Sequence, residues 1–312
     1  MESLEIEIYK RYMSLASFGG STISSTRKVK FDEILNCYDA FCFDGYGTLY
    51  NRGDFVYPMA REWFSAIRNA KKFVRLVTNA ASNLDEVLAR EACVRGFDFT
   101  AEETISSGSL LKSFMGRGEP LMGNAEKFWP RVDDKLVLET MYIGRPSGVK
   151  VLRECGITAV DNPRVPVVAV SSSTATEAMF SRAVEILRKP DAILLVLNSD
   201  AWAPNIDGSR SPVSGALSER LRLASFSDAN GFLGCRTFYF GKPFPAIWNR
   251  VRQSLSENSR VLMIGDTLGT DIFGAYVAGF DSALVIGRNE PLADLESDER
   301  ILGIRPTYYL EP

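Results

Sequence analysis

From residue 38 onward, short apolar runs alternate with longer segments whose apolar side chains recur every three or four residues. "YDAFCF" (38–43) reads as a buried strand ending at Asp44, and "FVRLVT" (73–78) as a second strand. Between them "PMAREWFSAIRNAKK" (58–72) has helical spacing, with Pro58 near its start. "SNLDEVLAREACVRG" (82–96) predicts another helix, opened by a Ser82 or Asn83 cap and stopped at Gly96. Strand, helix, strand, helix with short connections predicts an α/β fold built on a doubly wound, Rossmann-like parallel sheet.

The alternation restarts further on. "TMYIG" (140–144), "VPVVAV" near 166–171, the helix "TATEAMFSRAVEILRK" (174–189) and "AILLVLN" (192–198) form one set. "TFYF" (237–240), a helix after Pro243, "RVLMIG" (260–265) and "SALVI" (282–286) form another. No repeat of fixed period joins them. Ahead of the first strand, residues 2–17 carry Leu4, Ile8, Tyr12 and Leu15 at roughly helical spacing, and "GGSTISSTRK" (19–28) reads as a linker. Residues 1–30 therefore stand as an N-terminal appendage. The stretch "MGRGEPLMGNAEKFWPRVDD" (115–134) breaks the pattern and marks an inter-domain or substrate-facing loop.

Composition narrows the chemistry. With 312 residues, 46% of them apolar, the chain can bury two cores. Its net charge of −3 is mixed along the sequence, so no basic field points to nucleic acid or an anionic membrane. No apolar run approaches the length of a membrane span, and the acidic opening "MESLEIEIYKRYM" lacks a signal core. Five scattered cysteines without a Cys-x-x-Cys pair suit a reduced, cytoplasmic protein. There is no histidine at all. Ser-His-Asp and Cys-His machinery are excluded, proton transfer falls to Asp, Glu, Lys, Tyr or Cys, and any metal would be a hard cation held by carboxylates, such as Mg²⁺.

Four positions share one local design, an apolar strand followed at once by polar residues and glycine. They are Asp44 after "AFCF", Thr78–Asn79 after "FVRLV", Lys242 after "TFYFG" and Asp266 after "VLMIG". Ligands of open α/β sheets bind at the carboxyl ends of strands. If the four strands are neighbours, one crevice collects two carboxylates, a lysine, a hydroxyl and backbone N–H groups, a set suited to a divalent cation and a phosphoryl group.

In this order and context, the sequence resembles the haloacid dehalogenase (HAD) superfamily, from Asp39 to near Ile286. The motifs are Asp44-Gly45-Tyr46-Gly47-Thr48, "LVTNAAS" with Thr78, "GKPFPAI" with Lys242, and "GDTLGTD" with Asp266 and Asp271. "TNAAS" and "GKPFPAI", with echoes in "YIGRPSGVKVLRECGI" and "LNSDAWAPNIDG", are similar to the branch with a large inserted α/β cap (class IIA). It includes 4-nitrophenyl-phosphatase-like, N-acetylglucosamine-phosphatase-like and pyridoxal-phosphatase-like proteins. The resemblance implies a discontinuous HAD-like core at 31–115 plus 237–312 and a substrate-choosing cap at 116–236.

It also implies a hydrolase acting on a small phosphorylated metabolite. Asp44 attacks phosphorus. Asp44, the carbonyl of Tyr46 and Asp266 hold Mg²⁺, with Asp271 in support. Thr78 and Asn79 bind phosphate oxygens, and Lys242 bridges Asp44 and the phosphate. Cap candidates for substrate contact are Trp202 and Arg145, with Trp129, Phe128 and Asn205 behind them. Oligomers are common in the branch, and a homodimer is the assembly it suggests.

The pattern breaks at Tyr46, where the family's phosphatases carry a second aspartate that protonates the leaving oxygen and then activates water. A phenol with a reference pKa of about 10 is a poor base near neutral pH. Three readings stay open: a phosphatase with altered proton transfer; a dehalogenase or phosphonate-cleaving relative; and a phosphoryl-transfer or non-hydrolytic protein that keeps the Mg²⁺ and phosphate pocket.

Overall fold

The computed structural model describes residues 1–16, 25–116, 127–226 and 234–311. Seven strands form one parallel sheet in the order Arg27–Val29, Tyr308–Leu310, Asp281–Val285, Val261–Gly265, Ala40–Phe43, Phe73–Thr78, Thr104–Ser106. The α/β, parallel expectation holds. Its cause is visible in Ala40–Phe43, which is buried on both faces. Ala40 and Cys42 join one apolar cluster, while Phe41 and Phe43 join another. Each face of the central strand thus needs its own layer of side chains, the condition under which all-parallel sheets occur. The helix Ala60–Asn69 supplies part of one layer, burying Ala60, Trp63, Phe64 and Ile67 at the spacing of a single helical face.

Between Thr104–Ser106 and Val261–Gly265 the chain inserts a second parallel sheet. Its order is Arg236–Tyr239, Ile193–Val196, Val167–Val170, Glu139–Ile143, Thr158–Ala159. One apolar cluster runs from Ala40, Cys42 and Met263 to Ala169, Leu195 and Phe240, so the two sheets share buried surface. An antiparallel hairpin, Trp202–Pro204 with Arg210–Pro212, extends from the inserted unit.

Four local expectations change. The strand from "TFYF", grouped in sequence with the strands after it, pairs with Ile193–Val196 and belongs to the inserted sheet. The first strand of the large sheet is not 38–43 but Arg27–Val29, at the sheet edge beside Tyr308–Leu310. Three-residue strands are too short to show a period, which is why neither was legible. The helix at 82–96 begins at Asp85 with Leu84 in the cap position, and Asn83 instead donates a side-chain hydrogen bond to Glu91. Most of the linker at 19–28, and the centre of the loop at 115–134, lie outside the described residues.

The N-terminal helix Ser3–Leu15 is packed, not loose. It buries Glu5, Ile8, Tyr9, Tyr12 and Met13, one face at i, i+3, i+4, i+7 and i+8. Among the described residues, no helix is long and apolar enough to cross a membrane.

Candidate active site

Strand register brings three of the four polar strand ends to one level. Phe43 sits opposite Ile264 on one side and Leu76 on the other, and the Asp44 amide donates to the Ile264 carbonyl at 2.9 Å. Asp44, Thr78 and Asp266 therefore leave the same edge of the sheet, and all three are buried. Gly47, with φ +99°, turns the chain back beneath Asp266. A Cβ there would lie 1.9 Å from Asp266 Oδ2, so only glycine lets the nucleophile loop approach this carboxylate.

Lys242 reaches the same point by another route. It follows a strand of the inserted sheet, yet its Nζ lies 2.5 Å from Asp44 Oδ1 and 2.7 Å from Asp271 Oδ1, and it is 1% exposed. Asn79 fixes the lysine's backbone. Its Oδ1 accepts from the Lys242 amide at 2.7 Å, and its Nδ2 donates to the Lys242 carbonyl at 3.0 Å and to Asp200 Oδ1 at 2.8 Å. Ser199 Oγ also donates to the Lys242 carbonyl. Both ends of the Asn79 side-chain amide are thus engaged in holding Lys242 and Asp200. Gly241 (φ +86°) allows the clamp, since a Cβ would fall 2.2 Å from Asn79 Oδ1.

Asp271 shapes the far side. Its Oδ2 accepts from the amides of Asp266 and Thr267, each at 3.1 Å, while its Oδ1 faces the lysine. Asp266 Oδ1 has one weak partner, the Thr267 hydroxyl at 3.4 Å, and Oδ2 has none. Ligand oxygens of Asp44, Asp266 and Asp271 all lie within 4.8 Å of one another. Three buried carboxylates with a single buried ammonium leave an uncompensated negative charge, which is costly away from water. Oxygen-only donors with an idle carboxylate oxygen fit a hard divalent cation.

The pKa shifts follow from this crowding. Burial pushes Asp44 up to about 7, aided by Asp271 and Asp200 and opposed by Lys242. Burial, then Asp44 and Asp271, raises Asp266 well above the ordinary carboxylate range. Burial alone would lower Lys242, but Asp271, Asp44 and Asp200 outweigh it and hold the ammonium charged.

Tyr46 sits beside this centre without joining it. Its ring meets Tyr50 edge to face, centroids 5.1 Å apart, and the Glu91 carboxylate is near enough to act on its hydroxyl electrostatically. Burial and then Glu91 raise its pKa, so it stays neutral.

The site opens into a cavity of 620 Å³ lined by Asp44, Tyr46, Thr78, Lys242, Asp266 and Asp271 from the motifs. Of the five cap candidates, Arg145 and Trp202 line it. Trp129 is buried, with Nε1 donating to the Val137 carbonyl at 2.8 Å, and Asn205 closes its own hairpin on Ser209 and Ser211. Phe128 lies against Phe238. Asp200 is a cavity-lining carboxylate that sequence reasoning passed over. Burial pushes it up to about 6, against Lys242 and the Asn79 hydrogen bond. Its signal was present, because "LLVLNSD" is again an apolar strand followed at once by polar residues.

Comparison with known proteins places these motifs. A family model described as haloacid dehalogenase-like hydrolase matches residues 41–158, and a second, HAD-hydrolase-like, matches 239–311. Chronophin of Rattus norvegicus is 28% identical over 288 residues, covering 89% of this chain and 87% of that protein. Among solved structures, a possible sugar phosphatase of the HAD superfamily from Cytophaga hutchinsonii superposes with a TM-score of 0.72 at 24% identity, covering 92% of this chain and 97% of the other. The 4-nitrophenylphosphatase of Thermotoga maritima gives 0.67 at 21% identity, covering 88% and 95%.

Proposed function

This chain belongs to the haloacid dehalogenase-like hydrolases, and on that premise we propose that it is a Mg²⁺-dependent phosphomonoesterase working through an aspartyl-phosphate on Asp44. The observation that carries the reading is the junction of Asp44, Lys242, Asp266 and Asp271 at one buried sheet edge. Relatives named as phosphatases support the reaction class.

Asp44, the carbonyl of Tyr46 and Asp266, with Asp271 behind them, would hold Mg²⁺. The cation supplies charge neutralisation for a dianionic phosphate arriving among carboxylates. Asp44 offers an oxygen to phosphorus, and Lys242 holds that carboxylate in place and balances phosphate charge. Thr78 presents a hydroxyl to the same cavity. Asp271 keeps the backbone of Asp266 and Thr267 in register, and Asn79 does the same for Lys242. The inserted sheet, as the cap, brings Arg145 and Trp202 to a small phosphorylated substrate.

Proton transfer is the altered step. Position 46 carries a phenol, kept neutral by burial and the nearby Glu91 charge, where the family's second aspartate would stand. Esters of acidic alcohols, whose leaving oxygens need no proton, are therefore the favoured substrates. The neutral phenol at this position favours a second reading, in which the phosphoryl group stays on Asp44 and is released slowly. A panel of phosphomonoesters assayed for phosphate release with and without Mg²⁺ tests the proposal. Metal-dependent release supports it, and its absence across the panel refutes it. A burst of one equivalent of alcohol without phosphate selects the second reading. Five cysteines free of disulfides support a cytoplasmic setting, and fractionation of the native host cell checks it.

A further inference from the structure

The N-terminal helix and the hairpin Trp202–Pro204/Arg210–Pro212 meet behind the metal-binding loop in a buried polar chain. Glu5 and Arg210 form an ion pair, with Glu5 fully buried and Arg210 13% exposed. Arg210 Nε donates to Asn289 Oδ1 at 3.1 Å. Asn289 Nδ2 donates to Thr267 Oγ1 at 2.8 Å, and Thr267 Oγ1 donates to Asp266 Oδ1 at 3.4 Å. Asn289 is completely buried, and Thr267 and Asp266 nearly so.

The chain has a direction. A guanidinium only donates, so the amide oxygen of Asn289 must face Arg210 and its NH₂ must face Thr267. Thr267 accepts that bond, which leaves its own proton for Asp266 Oδ1. Asp266 is then held by one oxygen, and the other, Oδ2, is left bare beside the backbone of Gly47. The same helix supports the surrounding backbone. The Tyr9 ring lies against Gly269, where a Cβ would fall 2.2 Å from it. Tyr12 donates to the Ser199 carbonyl at 2.9 Å, and Ser199 holds Lys242. Glu290 Oε1 accepts from the Leu268 amide at 3.0 Å.

We infer that the N-terminal helix is part of the metal centre's support: Glu5, through Arg210, Asn289 and Thr267, orients Asp266 for the cation. These are positioning residues, since none touches the reacting atoms. The inference rests on the metal reading proposed above. Outer partners of metal ligands typically change affinity by about 10–100-fold when removed. The appendage thereby acquires a role that its sequence, a short amphipathic helix, did not announce.

The test is Mn²⁺ binding to the metal-free full-length protein, read by the loss of the free-ion EPR signal, with Mg²⁺ as competitor. Glu5→Gln combined with Arg210→Met removes both members of the ion pair together, so neither is left buried without the other. Thr267→Val removes the last hydroxyl while leaving the helix packing intact, and Thr267→Ser restores it. The inference predicts Mn²⁺ affinity about 10–100-fold weaker in the double variant and in Thr267→Val, with near wild-type binding in Thr267→Ser. Metal-free melting curves show which variants are folded. Should the double variant not fold, Asn289→Leu takes its place. Folded variants that bind Mn²⁺ within threefold of wild type overturn the inference while leaving the metal reading intact. A wild type that binds neither ion overturns the metal reading itself.

Discussion

Replacing Tyr46 with aspartate separates the two things that this residue does. The phenol packs edge to face on Tyr50, so its removal subtracts from stability. An aromatic pair of this kind is worth about 0.5–1.5 kcal/mol beyond its buried area. At about 2–4 °C per kcal/mol for a chain of this size class, Tyr46→Asp should melt roughly 1–6 °C lower from the lost pair. The chemistry should move the other way. General acid–base help is worth about 10²–10⁴-fold, or about 3–5 kcal/mol of barrier at 1.36 kcal/mol per decade. The new carboxylate would sit in a buried setting near Asp44, which raises its pKa toward the range useful for a proton donor. In steady-state assays with Mg²⁺, kcat for alkyl phosphates should therefore rise by about 10²-fold or more. For 4-nitrophenyl phosphate, whose leaving oxygen needs little protonation, the first step should barely change. A folded Tyr46→Asp protein with unchanged or lower kcat on alkyl phosphates would refute the reasoning. Tyr46 would then be fitted to a task other than a missing acid.

Other consequences follow from the same geometry. Asn79→Leu should lower kcat by about 10–100-fold, the price of a misplaced lysine, while vanadate inhibition stays within threefold of wild type. A large loss of vanadate affinity with intact kcat would show that the Asn79 side chain binds phosphate instead. Lys242→Met leaves Asp44, Asp266 and Asp271 without their cation, so activity should fall by about 10²–10³-fold, and the metal-free melting temperature should fall as well. Full activity in that variant would remove Lys242 from the mechanism. Mg²⁺ at about 100 times its Kd should stabilise the fold by about 2.7 kcal/mol, a melting shift of roughly 5–10 °C. That shift should grow with pH. Folded-state pKa values are raised for Asp44, to about 7, and for Asp266, so the metal-free protein loses stability as pH rises from the ordinary carboxylate range through about 7. Metal binding requires the deprotonated carboxylates. A shift that is equal at pH 5.5 and pH 8 would count against carboxylate ligation.

The central half of the large sheet and the site motifs were legible because each is local. An apolar run that ends on Asp44 or Asp266 announces both a buried parallel strand and a polar strand end, and sheet register then carries the two ends together. Lys242 was legible as a residue but not by its route. Its strand belongs to the inserted sheet, and hydrogen bonds with Asn79 and Ser199 hold the lysine's backbone where its side chain reaches Asp44. The part played by the Asn79 side chain was not legible for a related reason, since a polar residue after a strand looks the same whether its amide faces a ligand or the backbone of residue 242. Arg27–Val29 and Tyr308–Leu310 are held by pairing with each other across the length of the chain, which no local period reveals. Glu5 was not legible as part of the buried face of the N-terminal helix, because a buried glutamate becomes explicable only when Arg210 is placed against it.

The claim on which the account turns is that Asp44 carries the phosphoryl group. Turnover stopped in acid and treated with borohydride should reduce an acyl phosphate at that side chain to homoserine. The account predicts this change at residue 44 alone, dependent on Mg²⁺ and substrate and lost in Asp44→Asn. Phosphate released in full turnover with residue 44 never modified, or with the label on another side chain, would contradict it.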